Sequence, residues 1–305
     1  MTAPDPLVYV AARRVLLNAL DALGEHRAAV VLVGAQAIYL QAGEADLEVS
    51  VAPFTADADL SIDPARLGPD PRIAEAMTEA GFTLKVKTDN GGIEPGTWLA
   101  PAKIEKETVF VPVDLLVPEA LAPGRGKRDA RLPDHGKNAT RWTPGLEATI
   151  VDNTEMTVGS LEPDLDTRQA TIRVAGPAAL LVAKSHKIAD RLTDGDRGRA
   201  HRVKPKDCAD VIRLMRAPTP PDAVGTRLAE LAMNPICGAS VTAGVDRLVA
   251  QFSGPSSPGV DLAVTALAGA LPEELLRGLA PIYVETMLRA YRQRSLESCS
   301  QVSSS

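Results

Sequence analysis

The stretch VVLVGAQAIYLQ (residues 30–41) decides the fold class. With Ala28 and Ala29 ahead of it, its first half is a short apolar run that predicts a buried strand over 28–33. Gly34 ends the run. The residues that follow, AQAIYLQAG, space their apolar side chains as a short helix does. A strand that turns through glycine into a helix lets a ligand approach the backbone and offers it free N–H groups. An ordinary strand–turn–helix joint looks the same, so the neighbouring segments decide.

Upstream, residues 7–23 (LVYVAARRVLLNALDAL) carry helical spacing. Downstream, ADADLSI (56–62) predicts a second strand inside the stretch FTADADLSID (54–63). DPRIAEAMTEAGF (70–82) predicts a helix stopped at Gly81. FTLKVK (82–87) alternates as a half-buried strand does, and TVFVPVDLLVP (108–118) is apolar enough for a central strand. Pro112 marks a bulge or an edge within it. The first half is therefore α/β. Residues 119–145 are rich in Gly, Pro and charge, which predicts a long functional loop or a solvated flap. From Gly176 onward the pattern is helical, over 176–192, 206–216, 219–233, 238–252 and 272–294, with linkers at 217–222 and 253–259. The composition divides the chain into an α/β domain (1–175), a helical domain (176–295) and a disordered tail (296–305).

The bulk numbers narrow the setting. Apolar residues are 45% and aromatics 3%, so the core must be built from Ala, Val, Leu and Ile. A net charge of −6 excludes a surface coated for nucleic acid and leaves room for a local basic patch. The three cysteines, Cys208, Cys237 and Cys299, are few, odd in number and far apart in sequence, so neither a disulfide framework nor a zinc cluster is implied. No apolar run reaches the roughly 18 residues that span a bilayer, and the N-terminus lacks the order of a signal peptide. A soluble, cytoplasmic protein with no membrane partner is expected.

Within that frame three aspartates stand out. In a strand, Asp57 and Asp59 project to one side, with Ala58 and Leu60 on the other. Neighbouring carboxylates repel unless a cation lies between them, and Mg²⁺ is commonly held by one or two carboxylates plus phosphate oxygens. A solvated edge strand or turn would also accommodate the pair. Asp114 interrupts VFVPVDLLV, where a charge is costly unless it is paired, bound to metal or at the solvent end of the strand. Asp63, three residues past the pair, suits a turn or helix cap.

The order strand–Gly–helix, Asp-x-Asp, then a lone Asp on a later strand resembles the polymerase-beta-type nucleotidyltransferases. The segments AALLVAKSHKIADR (178–191) and KPKDCADVIRL (204–214) resemble the second-half signature of AbiEii/MenT-type nucleotidyltransferase toxins. The resemblance covers about residues 28–216. It implies a polymerase-beta-like α/β (α+β) domain with a mixed sheet, followed by a helical domain. It also implies Asp57, Asp59 and Asp114 as ligands of two Mg²⁺ (or Mn²⁺) ions, Gly34 as the start of a phosphate loop, Lys184 as the triphosphate lysine and Asp207 as the completing acid. Lys187 and Asp210 are the nearest competitors for the last two roles. Where the family has Gly-Gly or Gly-Ser, this chain has Gly34-Ala35, and Gln36 or backbone N–H groups stand in for the missing hydroxyl.

The implied activity is transfer of a nucleoside monophosphate from a nucleoside triphosphate to an acceptor, with pyrophosphate leaving. Residues 184–206 hold eight Lys or Arg against three Asp, with His186 and His201. In an acidic chain this excess suits a phosphate-bearing acceptor, and with the resemblance it points to tRNA and a toxin or phage-defence role. A hydroxyl of a cognate antitoxin protein is the alternative acceptor. A retained nucleotide-binding module without turnover is a third reading. A nucleotide-sugar glycosyltransferase would place more α/β chain ahead of its Asp-x-Asp.

Overall fold

The structure, a computed structural model, describes residues 6–43, 55–88, 91–124 and 127–302. Phe54 of the acidic stretch and the last three residues of the tail lie outside them. The chain forms two compact units, each threaded from three segments: Met1–Ala37, Ala52–Thr143 and Asn153–Ala175 in the first, Ile38–Val51, Pro144–Asp152 and Gly176–Ser305 in the second.

The first unit is a mixed sheet with helices. Helix α1 (Pro6–Ala22) leads to strand β1 (Val30–Val33), and α2 (Gly34–Ala42) starts directly after it. Then come β2 (Ala58–Ile62), α3 (Ile73–Glu79), β3 (Thr83–Val86), β4 (Ile93–Ile104), β5 (Glu107–Pro118) and β6 (Arg141–Thr143). Beyond α4 (Glu147–Val151), which belongs to the second unit, β7 (Asn153–Gly159) and β8 (Gln169–Ala175) return to the sheet. The strand order is β3-β4-β5-β2-β1-β8-β7, with β6 also paired to β5. Strand β1 runs antiparallel to β2 and parallel to β8, and β2 runs parallel to β5. Both β1 and β2 are buried along their whole length, as central strands must be.

Pro112 fits its strand because of where the sheet ends. Strand β2 pairs with β5 only over Val113–Leu116, whereas β4 pairs with it from Glu107 to Asp114. At Pro112 the strand has β4 on one side alone, so its missing N–H disturbs no second ladder. The loop before β6 is packed rather than solvated in its second half. Ala130, Leu132, His135 and Ala139 are buried, and the Trp98 indole N–H donates to the Ala139 carbonyl at 2.9 Å.

The second unit holds α4 and the helices α5 (Pro177–Asp196), α6 (Pro205–Arg216), α7 (Pro221–Ala232), α8 (Gly238–Phe252), α9 (Pro258–Leu267) and α10 (Glu273–Val302). Four of them, α5, α6, α7 and α9, open on proline, whose fixed φ and missing N–H suit the first turn. Helix α10 continues to Val302, through the start of the stretch whose composition suggests a disordered tail. No helix among the described residues is long and apolar enough to cross a membrane.

Candidate functional site

The sheet register brings two of the three aspartates side by side. Val33, the last residue of β1, is the partner of Asp59 on β2, and Asp59 is the partner of Asp114 on β5. Partners on adjacent strands share a face, about 5 Å apart. Asp57 lies one residue before β2 begins. One row across the sheet thus runs from the Gly34 turn through Asp59 and Asp114 to Thr97, the β4 partner of Asp114.

Gly34 cannot be another residue without displacing this row. Its φ is +68°, in the left-handed region, and a Cβ built there falls 2.0 Å from Asp59 Oδ2. The Asp59 carboxylate therefore sits in the turn where α2 starts. Gln36, two residues on, is only 1% exposed. Its Nε2 donates to the Asp57 carbonyl at 3.1 Å, and its Oε1 accepts from Arg13 Nε at 2.8 Å. Both ends of the amide are thus engaged in fixing the chain ahead of β2. Arg13 itself is buried and also donates to the Tyr9 hydroxyl and the Gly159 carbonyl. The Thr55 hydroxyl donates to Asp57 Oδ1. Asp63 accepts from the Ala65 N–H and caps a short turn.

Asp114 is held from two sides. Thr97 Oγ1 donates to Oδ1 at 2.7 Å, and Arg141 Nη2 donates to Oδ2 at 2.5 Å. Arg141 Nη1 also donates to Thr97 Oγ1 at 3.1 Å and lies 3.6 Å from Glu94. Gly96 makes this possible: at φ +72°, its missing Cβ leaves the room that the Arg141 backbone N–H occupies, 2.5 Å from where a Cβ would stand.

The donors that Mg²⁺ or Mn²⁺ would meet are carboxylate oxygens, the preferred ligands of hard cations. Asp57 and Asp59 have the donor chemistry for such an ion, with the Asp59 carboxylate at the glycine turn and Asp57 two residues before Asp59. Asp114 fits less well as a third ligand, because the Arg141 guanidinium already compensates its charge. Among the described residues no three His, Cys, Asp or Glu side chains are grouped closely enough to enclose a metal.

The remaining candidates belong to the second unit. Lys184 is 4% exposed, with Nζ 3.2 Å from Asp207 Oδ1 and 2.7 Å from Asp210 Oδ2. Arg191 donates to the other oxygen of Asp207, and Lys187 Nζ lies 3.7 Å from Oδ1. Arg213 donates to Asp210 Oδ1 at 3.2 Å and lies over the Tyr39 ring, 5.1 Å from its centroid. Burial works to raise the Asp210 carboxyl, but the charges of Lys184 and Arg213 outweigh it and hold it below its ordinary value. The same burial pushes the neighbouring Cys208 thiol up to about 12. Of the stripe Lys184, Lys187 and Arg191, the first is sealed between aspartates and Lys187 keeps the most exposure, 42% of its side chain.

Arg141, Thr97 and Arg13 do not stand out in the sequence. Only Arg13 leaves a trace there, as a charge four residues from Tyr9 and from Leu17 on the apolar stripe of α1. No protein-family model, no curated protein and no solved structure matches the chain.

Proposed function

We propose that this protein is a nucleotidyltransferase that uses a divalent cation to move a nucleoside monophosphate from a nucleoside triphosphate to an acceptor hydroxyl. The observation that carries the proposal is the row Gly34, Asp59, Asp114, with Asp57 just ahead of β2. It sets carboxylates beside a glycine turn at a helix start, where backbone N–H groups favour phosphate. A cation held at Asp57 and Asp59 supplies positive charge to the triphosphate. The chain's own part is to hold Asp57 still, its carboxylate through Thr55 and its backbone carbonyl through Gln36 backed by Arg13. A polymerase-beta-like fold of the AbiEii/MenT type belongs to the same proposal, and the mixed sheet followed by helices is compatible with it.

The acceptor we favour is tRNA, in a toxin or phage-defence setting, because of the basic excess over residues 184–206. Part of that excess is internally balanced, since Arg199 and Arg202 both pair with Asp194. An antitoxin hydroxyl is the alternative acceptor. The Arg141 ion pair on Asp114 favours a second reading, a module that binds nucleotide without turnover.

The test incubates wild type and Asp57→Ala with each labelled nucleoside triphosphate, Mg²⁺ and either total RNA or candidate partner proteins. Label passed to tRNA by wild type and lost in the variant is the expected result. Label on protein alone moves the acceptor to an antitoxin. Thermal stabilisation by Mg²⁺ and nucleotide without transfer selects the binding module, and no transfer with no stabilisation sinks the proposal.

A further inference from the structure

The resemblance implies two cations on three aspartates, but the third aspartate already carries a positive partner, the Arg141 guanidinium. Both oxygens of Asp114 are engaged, one by Thr97 at 2.7 Å and one by Arg141 at 2.5 Å. These contacts close a ring, because Arg141 also donates to the Thr97 hydroxyl at 3.1 Å. The ring is built into the backbone. Arg141 is the β5–β6 register partner of Leu116, which lies two residues from Asp114 on the same face of β5. Gly96 leaves the space for it, and Gly96 N donates to the Asn138 carbonyl at 2.8 Å, tying β4 to the segment that leads into β6.

Charge explains why such a ring belongs here. Asp59 and Asp114 are register partners, and two carboxylates at that spacing repel unless positive charge is supplied. A guanidinium donates in a rigid fork, is always charged, and is more weakly hydrated than an ammonium. The pair is largely shielded, with 22% of the Arg141 side chain and 15% of the Asp114 side chain exposed. A cation at Asp114 would meet the like charge of a guanidinium held there by a shielded, charge-assisted bond.

We propose that Arg141 stands in place of a second cation: its guanidinium permanently compensates Asp114, and the site takes one divalent ion, held from Asp57 and Asp59. Arg141 is thus a positioning residue, acting through Asp114. The inference rests on the nucleotidyl-transfer reading, and it can fail while that reading stands.

The experiment counts Mn²⁺ ions by calorimetry and by electron paramagnetic resonance on the full chain, with Mn²⁺ alone and with Mn²⁺ plus tripolyphosphate. Tripolyphosphate is used because it needs no knowledge of the base. The wild type is expected to bind one ion with no spin coupling. Arg141→Ala, checked for folding by circular dichroism, is expected to bind two, coupled as ions about 4 Å apart are. Arg141→Lys, which keeps the charge, is expected to remain at one. Two coupled ions in the wild type overturn the inference without any variant and leave nucleotidyl transfer intact. One ion in a folded Arg141→Ala also overturns it, because Arg141 would then not be what excludes the second. No ion in the wild type overturns it too, and if nucleotidyl transfer is also absent, the functional reading falls with it.

Discussion

At the scale of single residues, one absent carbon governs the site. Alanine at position 34 must adopt a left-handed conformation, which costs roughly 1–2 kcal/mol, and must also push the Asp59 carboxylate aside. Gly34→Ala is expected to lower stability by about 1–3 kcal/mol in urea denaturation and to abolish Mn²⁺ binding. Part of that loss is collision with Asp59. The double variant Gly34→Ala, Asp59→Ala is therefore expected to lose less than the two single losses summed, by about 0.5 kcal/mol or more. Strict additivity would show that Asp59 does not occupy the turn. Lys184 gives a second prediction. Lys184→Met removes the ammonium that Asp207 and Asp210 share but leaves Arg191 and Arg213 on them, so about 1.5–3 kcal/mol should be lost at pH 7. Lys184 is among the charges that hold the Asp210 carboxyl low, so its loss raises that folded value and the deficit should narrow as pH falls through it. A deficit that does not narrow on acidification would argue against it. Asp57, Asp59 and Asp114 are legible in the sequence because a charge inside an apolar strand asks for an explanation. Arg141 is not, because it meets Asp114 only through strand pairing across 27 residues, on a three-residue strand too short to show a period. The sealing of Lys184 is equally hidden, since helical spacing alone places it beside an exposed basic stripe.

At the scale of elements, the segment leading into β6 has a pH response. His135 packs edge-on against His26, with ring centroids 5.4 Å apart, and its Nδ1 accepts from the Ile73 N–H at 3.3 Å. Burial, then the charge of His26, lowers its pKa, against smaller raising effects of Asp134, the Gly68 backbone and Asp70. In α5, burial lowers the pKa of His186 and the charge of Arg247 lowers it further, although its bond to the Ser240 carbonyl raises it. For both rings the folded value lies below the unfolded one, so the unfolded chain takes up the proton first. Their stabilising contribution is whole above about pH 6.5 and declines as pH falls from there toward the folded values. Urea midpoints are expected to drop between pH 7.5 and pH 5.5, as the unfolding free energy falls by up to about 1.4 kcal/mol per pH unit for each ring. His135→Asn and His186→Asn should each flatten the drop, and a wild-type midpoint that does not move would refute the assignment. Elements with a clear period or apolar run, α1, β1, β2, β5 and α5, are legible in the sequence. Strand β4 is not, because Pro95, Gly96 and Pro101 interrupt it and its long hairpin with β5 supplies the register. Strand β7 is largely polar, and β7 and β8 hold each other in a ladder from Asn153↔Ala175 to Gly159↔Gln169 that neither displays alone.

At the scale of the whole molecule, the change of composition at Gly176 marks where strands give way to helices, but the packing boundary is interleaved. The second unit recruits Ile38–Val51 and Pro144–Asp152 from the strand-rich half of the chain. The reason is visible at Asp152. Its Oδ2 accepts from the Ala179 N–H at 3.1 Å, in the first turn of α5, and its Oδ1 accepts from Arg227 Nε at 3.0 Å on α7. Its carbonyl accepts from the Gly176 N–H at 2.9 Å. A carboxylate that satisfies a helix N-terminus stabilises it by about 1 kcal/mol, and this one also joins two helices. Composition cannot reveal that use, because Asp152 lies 24 residues before Gly176 and looks like a turn residue. A cut at the composition boundary should therefore fail. Fragment 176–305 lacks the Asp152 cap and the Tyr39 ring under Arg213, and it is expected to melt at lower temperature and with less cooperativity than the same helices in the full chain. Fragment 144–305 regains the cap, and despite the spare strands it carries it should recover part of the melting temperature. Asp152→Ala in the full chain should lower stability by about 1–2 kcal/mol, the cost of a lost cap. If fragment 176–305 melts as sharply and as high as fragment 144–305, then Asp152 is dispensable and the helices after Gly176 form a domain by themselves.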